Sequence, residues 1–509
     1  MSASERRPNI LLVTTDQHHY ACLGATEPRL QTPALDRLAR EGTSFTRAYT
    51  SNPVCTPARA SIITGLYPSA HGAWTIGVRL PEDVPTVGQA LGGAGYLTGL
   101  VGKAHFQPMR STPESPSLET AAAMRDLDFW RRFSGPWYGF QQVELTRGHT
   151  DEAAVGGHYA LWMEEQGFTT WRDHFRPWPP EPGPPPPRRQ GAWSLPQELH
   201  YTRWTVERSL AFVERAHAAG RPFFLWTSFH DPHPSYLVPE PWASRYRPEE
   251  MEPGQLVPGE HDRNPPHFRL TQEARPDFGP WQETEWTNHG FRSHLHDRAS
   301  LQRDMAVYYG MLSFVDHEMG RLLDRLDALD LARDTLVVFT TDHGHFLGQH
   351  GLIAKGAFHY EDLLRVPFLV RWPGEVPAGR VSDALQSTVD LAPTFLAAAG
   401  LPVPGLMQGL DELPAWRGEA PAVRDHVLVE NRHQPTAVHL RTYVDRRHKL
   451  TVYRDCPYGE LWDLEADPGE VRNLWDDPGA AGLKERLLQA FLNAEVRREP
   501  TRMPRVAGA

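Results

Sequence analysis

Four short apolar runs in this 509-residue chain each deliver titratable side chains at their carboxyl end. "NILLVTT" (9–15) leads into Asp16 and Gln17, and "YLTGLVG" (96–102) into Lys103 and His105. "PFFLWTSF" (222–229) leads into His230, Asp231 and His233, and "TLVVFTT" (335–341) into Asp342 and His343. Two carboxylates with an imidazole are a donor set for a divalent metal ion. Lys103, His105, His230 and Lys355 add positive charge and proton-transfer groups. Together these residue types suit an anionic, tetrahedral group with a metal beside it. Plainer readings stand next to this one. A strand-end aspartate often caps the following helix, Lys355 reads equally as surface charge, and His230 as a local cap. Four charged strand ends in one sheet are harder to explain that way.

A fifth stretch, "NPVCTPARASIITG" (52–65), places Cys55 at the start of a helix. Pro57 suits a first helical turn, and Gly65 ends the apolar run. Helix N-termini favour anions, and Arg59, four residues on, returns to the face of Cys55. Three readings of Cys55 follow: a packing cysteine, a thiolate activated by the helix end, or a cysteine converted to something else. A cysteine-dependent phosphatase needs a longer loop between Cys and Arg, so the spacing argues against that chemistry.

The elements that must position these groups alternate between strand and helix. Helical segments are expected at "ALDRLAREG" (34–42), "TRWTVERSLAFVERAHAAG" (202–220) and "YYGMLSFVDHEMGRLLDRLDAL" (308–329), with "VPFLVRW" (366–372) as a fifth strand. This alternation predicts an α/β fold with a doubly wound, mostly parallel sheet and helices on both faces. In such sheets ligands bind outside the carboxyl ends of the strands. After about residue 400, "HVLVENR", "VHLRTYVDRRHKLTVY" and "GELWDLEADPGEVRNLWDDP" read as short antiparallel strands before a terminal helix. The expected division is a catalytic α/β domain over 1–400 and a small C-terminal α+β subdomain over 401–509. Long insertions near 108–200 and 232–300 interrupt the first, including the proline-rich 177–189. They are expected either to shape a pocket or an oligomer contact or to be plain surface excursions. Their Trp130, Trp137, Trp171 and Trp178 serve either to stack on an aryl group or sugar, or as core or interface.

The formal net charge of −11 and the absence of a dense Lys/Arg run argue against a nucleic-acid partner. That charge gives an anion no global attraction, so a local cluster must hold one. The N-terminal "MSASERRPNILLVTTD" ends its apolar run in an aspartate, without a small-residue cleavage site, and reads as a strand rather than a signal peptide. No stretch reaches membrane-span length. The three cysteines, Cys22, Cys55 and Cys456, have neither zinc spacing nor a disulfide framework. The expectation is a cytoplasmic protein with reduced thiols and no membrane partner. The oligomeric state, a homo-oligomer included, is left open.

Cys55-Thr56-Pro57-Ala58-Arg59 resembles the C-x-P-x-R signature of the type I sulfatases, in the alkaline-phosphatase-like superfamily. "NILLVTTDQ", "LVGKAHF", "TTDHGHFLGQHGL", "YEDLLRVPFLVRWPG" and "ELWDLEADPGEVRNL" resemble further landmarks of that family, from both ends of the chain. The resemblance implies that Cys55 is oxidised to Cα-formylglycine by a formylglycine-generating enzyme and hydrated to a geminal diol. One hydroxyl attacks sulfur, an alcohol leaves, and the covalent sulfo-enzyme then releases sulfate. It implies an aryl or sugar sulfate, or another small-molecule sulfate ester, as substrate. Carried over, Asp16, Asp342, His343 and modified Cys55 hold the metal, calcium first and manganese second. Arg59 stabilises the diol oxygen, Lys103 and Lys355 bind sulfate oxygens, His105 deprotonates the diol, and His230 serves the leaving oxygen. His71 reads as a turn residue, His345 and His350 as weaker candidates, His359 as a residue at the pocket rim, and Glu361 and Arg365 as structural.

Two positions depart from the family pattern. Gln17 stands where many members have a second aspartate, and His343 where others have asparagine. Both departures are shared with the related phosphonate monoester hydrolases, which lack the lysine and histidine of the G-K-x-H motif. Lys103 and His105 therefore favour a sulfatase. Hydrolysis of a phosphonate monoester or phosphodiester at the same residue is the alternative.

Overall fold

The computed structural model describes residues 7–179, 189–281, 296–432 and 438–500. Most of the proline-rich run at 177–189 lies outside the described residues. The main sheet is built from β1 (Asn9–Thr15), β2 (Thr43–Phe45), β3 (Leu97–Gly102), β4 (Gln142–Leu145), β5 (Phe223–Ser228), β6 (Thr335–Thr341), β7 (Leu369–Arg371) and β8 (Arg380–Ser382). Their spatial order is β8-β2-β7-β6-β1-β5-β3-β4. The block β6-β1-β5-β3-β4 is parallel throughout.

These strands are apolar because both sheet faces are covered. Ile10 and Leu12 of β1 pack on one side with Ile62, Ile63, Phe395 and Leu396. Those partners lie on α2 (Cys55–Thr64) and on the helix Leu391–Ala398. Leu11 and Val13 point the other way, to Leu38, Val213, Leu322 and Leu323. These belong to α1 (Pro33–Glu41), α3 (Tyr201–Ala218) and α4 (Arg298–Ala328). The alternation along one strand is the two-residue period of β structure. The Asp316 carboxylate of α4 accepts the Ala34 and Leu35 amides of α1 at 3.0 and 2.8 Å, satisfying orphan donors of that helix start.

Register sets the site. Thr14 pairs with Ser228, Thr15 with Thr341, and Gly102 with Ser228. The residues that follow, Asp16, Asp342, Lys103 and His230, therefore emerge along one edge. Gly102 has φ +105°, and a Cβ there would collide with the Ser228 carbonyl. Only glycine lets β3 come this close before the chain turns out at Lys103.

Three expectations are corrected. "VPFLVRW" is not one parallel strand: Arg365–Val366 pairs antiparallel with Ala48–Tyr49, and β7 runs antiparallel to β6. Pro367 divides them, since proline has no N–H for a ladder. The long helix begins at Arg298, capped by Asp297, whose side chain accepts the Ser300 amide at 2.9 Å. The insertion at 108–200 contributes a main-sheet strand, β4, that was not expected.

The C-terminal strands β9 (Val427–Arg432), β10 (His439–Val444), β11 (His448–Tyr453) and β12 (Gly459–Asp463) form an antiparallel sheet. The terminal helix Ala481–Arg497 packs Leu487 and Phe491 on Leu428, Tyr443, Leu450 and Leu461 of this sheet. Its other side meets Tyr49, Leu364 and Leu385 through Val427, Val429 and Val444. His359 is held here, not at a pocket rim: its nitrogens meet Thr442 Oγ1 at 2.6 Å and Asn431 Nδ2 at 3.2 Å. No helix among the described residues is long and apolar enough to cross a membrane.

Candidate active site

Helix α2 is buried along its whole length, and no side chain caps its first turn. It ends at Gly65, which takes the left-handed conformation at φ 65° and donates its N–H to Ser61 O. Cys55 therefore sits at an uncapped helix N-terminus inside the protein. Lys355 Nζ lies 3.0 Å from Cys55 Sγ, His343 Nε2 3.2 Å away and Asp16 Oδ1 3.6 Å away. Burial and Asp16 push the thiol up, but Lys103 and Lys355 outweigh them and bring it to about 6.

Two carboxylates flank this sulfur, each with a cation. Arg59 Nε donates to Asp342 Oδ2 at 2.8 Å, and Arg59 Nη1 donates to Ser228 Oγ and Lys103 O at 2.7 and 2.9 Å. Asp342 Oδ1 accepts the Gln17 and His343 amides, both at 3.0 Å. Lys103 Nζ pairs with Asp16 Oδ2 and lies 2.8 Å from His149 Nε2. Burial pushes Asp16 up, yet Lys103, His233, His149 and Arg59 together hold it well below the usual carboxylate range. Burial pulls Lys103 below its ordinary value against the attraction of Asp16 and Cys55.

The two expected catalytic histidines take their hydrogen bonds from the segment after β4. His105 Nε2 meets Arg147 Nη2 at 2.7 Å. A guanidinium only donates, so the neutral ring accepts at Nε2 and carries its proton on Nδ1. His230 Nε2 lies 3.3 Å from Thr146 O, which only accepts, so this ring has its lone pair on Nδ1. Both Nδ1 atoms are buried without a protein partner. Burial first, then Arg147 and Lys103 for His105, and His149 and Lys103 for His230, hold both rings well below the ordinary imidazole value.

The structure thus gathers Asp16, Cys55, Arg59, Lys103, Asp342, His343 and Lys355 into one contact network. Lys355 is no surface charge; it is 4% exposed. His71 is not a turn residue: it closes the short helix Pro68–His71 and reaches Ser61 Oγ of α2 at 3.2 Å. Two residues, His149 and Arg147, were missed, and His233, noted at its strand end, was given no role. His149 bridges Lys103 and Asp16, at 2.8 and 3.1 Å. His233 stacks on His149 at 3.6 Å and approaches Lys355 Nζ at 3.5 Å. Arg147 fixes His105. The one signal for Arg147 and His149 was the four-residue "QVEL" ahead of them, with only two apolar positions and too short to stand out.

A sequence model of the sulfatase family matches residues 8–401. The chain belongs to the sulfatase family. A second model, described as N-sulphoglucosamine sulphohydrolase, C-terminal, matches residues 348–497. An arylsulfatase of Clostridium perfringens is 28% identical over 92% of this chain and 90% of its own length. The multifunctional alkaline phosphatase superfamily protein PehA of Trinickia caryophylli is 29% identical over 96% of this chain and 95% of its own. The crystal structure of phosphonate monoester hydrolase of Agrobacterium radiobacter superposes with a TM-score of 0.77 at 25% identity, covering 97% of this chain and 96% of that one. Membership makes the chain, in general class, a sulfuric ester hydrolase.

The residues present fit a divalent ion. Ligand atoms from Asp16, Cys55, Asp342 and His343 lie within 4.8 Å of one another, and all four residues are buried. Asp16 and Asp342 are both pushed up by burial and yet held low by neighbouring cations, the state in which carboxylates bind metals.

Proposed function

We propose that this sulfatase cleaves a sulfate ester at Cys55 after the residue is converted to Cα-formylglycine. A divalent ion, calcium or manganese, would be held by Asp16, Asp342, His343 and the modified residue. The observation that carries the reading is the position of Cys55. Its side chain heads an uncapped buried helix and touches Lys355, His343 and Asp16 at once. When present, the ion and the hydrated aldehyde supply Lewis acidity, a nucleophilic hydroxyl and a route for releasing sulfate.

The chain's own groups do the rest. Lys355 and Lys103 bring two ammonium groups to the position of Cys55, where sulfate oxygens need compensation. Arg59 keeps Asp342 ionised and anchors the backbone at Lys103 through its carbonyl. His105 and His230 handle protons, and their neighbours set the starting state. His230 offers a lone pair at Nδ1, so it must take up a proton before the leaving oxygen can receive one. His105 becomes a base only when Arg147 releases Nε2. The maturation partner is a formylglycine-generating enzyme, and the proposed setting is the cytoplasm.

Phosphonate monoester or phosphodiester hydrolysis is the second reading, supported by the likeness to the Agrobacterium hydrolase and to PehA. Lys103, seated on Asp16 in the site, favours the first. Mass spectrometry of the tryptic peptide 48–59 tests the modification: formylglycine makes it ~18 Da lighter than the cysteine form. Because the hydrated aldehyde regains that mass, the refuting result is a peptide that still takes up iodoacetamide at a Cys55 thiol after co-expression with the modifying enzyme. Relative kcat/KM on an aryl sulfate and an aryl phosphonate decides the ester, and Cys55→Ala must abolish both activities.

A further inference from the structure

The donor atoms at the head of α2 form one set while Cys55 is a thiol and another once it is converted. With the thiol in place they are one sulfur, one imidazole nitrogen and two carboxylates, all buried and within 4.8 Å of one another. His343 is fixed for ligation by its own segment. Its Nδ1 lies 3.0 Å from Gly344 O, which only accepts, so Nδ1 carries the proton and Nε2 the lone pair. That Nε2 stands 3.2 Å from Cys55 Sγ, and Asp16 Oδ1 stands 3.6 Å from the same sulfur. Around a tetrahedral zinc ion, with Zn–S about 2.3 Å and Zn–N or Zn–O about 2.0 Å, neighbouring ligand atoms are about 3.3–3.6 Å apart. The sulfur and its two neighbours already stand close to that spacing.

Calcium takes about six to eight oxygens, whereas sulfur and nitrogen make up half of this set. Thiolate, imidazole and carboxylate together are donors that suit zinc. The cation in contact with the sulfur and the imidazole is Lys355, whose Nζ lies 3.0 Å from Sγ and 3.2 Å from His343 Nε2. Its ammonium donates to the two lone pairs that an ion would take, so an ion must displace it. The room to do so is at hand. Lys355 and His233 line a cleft of about 350 Å³, and His233 Nε2 already lies 3.5 Å from Nζ. The same cleft gives an ion its entry path.

We propose that the folded chain with Cys55 unconverted is a zinc-thiolate protein, in which Asp16, Cys55, Asp342 and His343 bind Zn2+ in preference to calcium. The thiol proton leaves to solvent as the Zn–S bond forms. Conversion of Cys55 removes the sulfur and with it this preference, so zinc captures chains that fold before they are converted. Only that last step rests on the formylglycine reading above; the zinc site itself does not.

The test is calorimetric titration of zinc chloride and of calcium chloride into the metal-free full chain, produced without the modifying enzyme. Cobalt(II) absorption spectra run alongside. Zinc is expected to bind at least about a hundredfold more tightly than calcium. Cobalt is expected to show the thiolate-to-metal charge-transfer absorption of a Co–S bond. Cys55→Ser should abolish that absorption and weaken zinc at least about tenfold. Should that variant not fold, His343→Asn replaces it and must weaken zinc without weakening calcium, since it trades a nitrogen donor for an oxygen. Calcium binding as tightly as zinc, or cobalt bound without the charge-transfer absorption, overturns the proposal. So does zinc affinity unchanged in Cys55→Ser, which would put the ion elsewhere, as on the neighbouring group Asp16, His149 and His233. Chain co-expressed with the modifying enzyme separates the two readings. If its Cys55 stays a thiol and still binds zinc, the formylglycine reading fails and the zinc site stands.

Discussion

His350 offers a stability measurement whose sign and size follow from the structure. Its Nδ1 lies 3.5 Å from Glu260 Oε2 and its Nε2 3.5 Å from Asp362 Oδ2. The ring stacks on Tyr360 at 3.5 Å. Asp362 also takes His19 Nε2 at 2.8 Å. One imidazolium therefore joins the segment after β1, the Glu260 segment and the chain leading to Lys355. Burial pushes the His350 pKa down, but Asp362 and Glu260 outweigh it and raise it from 6.5 to about 9. The folded state thus holds the proton more tightly than the unfolded state. The resulting stability, about 3 kcal/mol, is fully present below pH 6.5 and disappears as pH rises through about 9. The side chain is only 7% exposed, so solvent screening reduces this little. The assay is urea denaturation of the wild type and of His350→Gln at pH 6, 8 and about 10. The variant should be less stable by about 3 kcal/mol at the lowest pH and should converge on the wild type at the highest. Other groups titrate in both proteins and cancel in the difference. A deficit that stays constant with pH would falsify the imidazolium and leave only lost packing.

Three further outcomes are expected. Arg59→Met leaves Asp342 buried without its guanidinium and should destabilise the metal-free protein by about 3–5 kcal/mol. Metal loading should recover part of that, since a cation again faces Asp342; denaturation with and without ion shows whether it does. Gly102→Ala forces a Cβ against the Ser228 carbonyl at φ +105°. It should cost at least about 2 kcal/mol and depress turnover together with stability, because Lys103 moves with it. A melting curve matching the wild type would show that β3 has room to shift. Chelation should lower the melting temperature, and ion at about a hundredfold excess over its Kd should restore about 2.7 kcal/mol. Identical curves for chelated and loaded protein would remove the four-donor centre from the argument.

The parallel strands were legible because both their faces are buried, which leaves near-continuous apolar runs such as "NILLVTT" and "TLVVFTT". Their strand-end residues were legible for the same reason, and six of the nine expected site residues follow directly from β1, β3, β5 and β6. Cys55 and Arg59 needed a helix, whose start is marked by Pro57 and whose end by Gly65. Lys355 was harder, because its seat is made by tertiary contacts alone: it lies on a loop and reaches Cys55, His343 and His233. Short strands were not legible. β4 has four residues at the sheet edge, half of them partly exposed, so it shows little apolar content. β7 is split from its neighbour by a proline and runs antiparallel, which no local pattern announces.

Missing β4 also hid the residues with the most consequence for the chemistry. Arg147 and His149 follow it as Lys103 and His105 follow β3, and β3 pairs with β4 up to Gly102 and Leu145. The two strand ends therefore act as one unit: Arg147 sets the proton of His105, and His149 Nε2 lies against the directly paired Lys103 and Asp16. Asp151 and Glu152, two and three residues after His149, then line the cleft. A single edge strand thus links the charge state at the reacting sulfur to the lining of the cleft beside Lys355. Substitutions at His149 should for that reason disturb both binding and turnover, whereas those at Ser235, another residue lining the cleft, should act through binding.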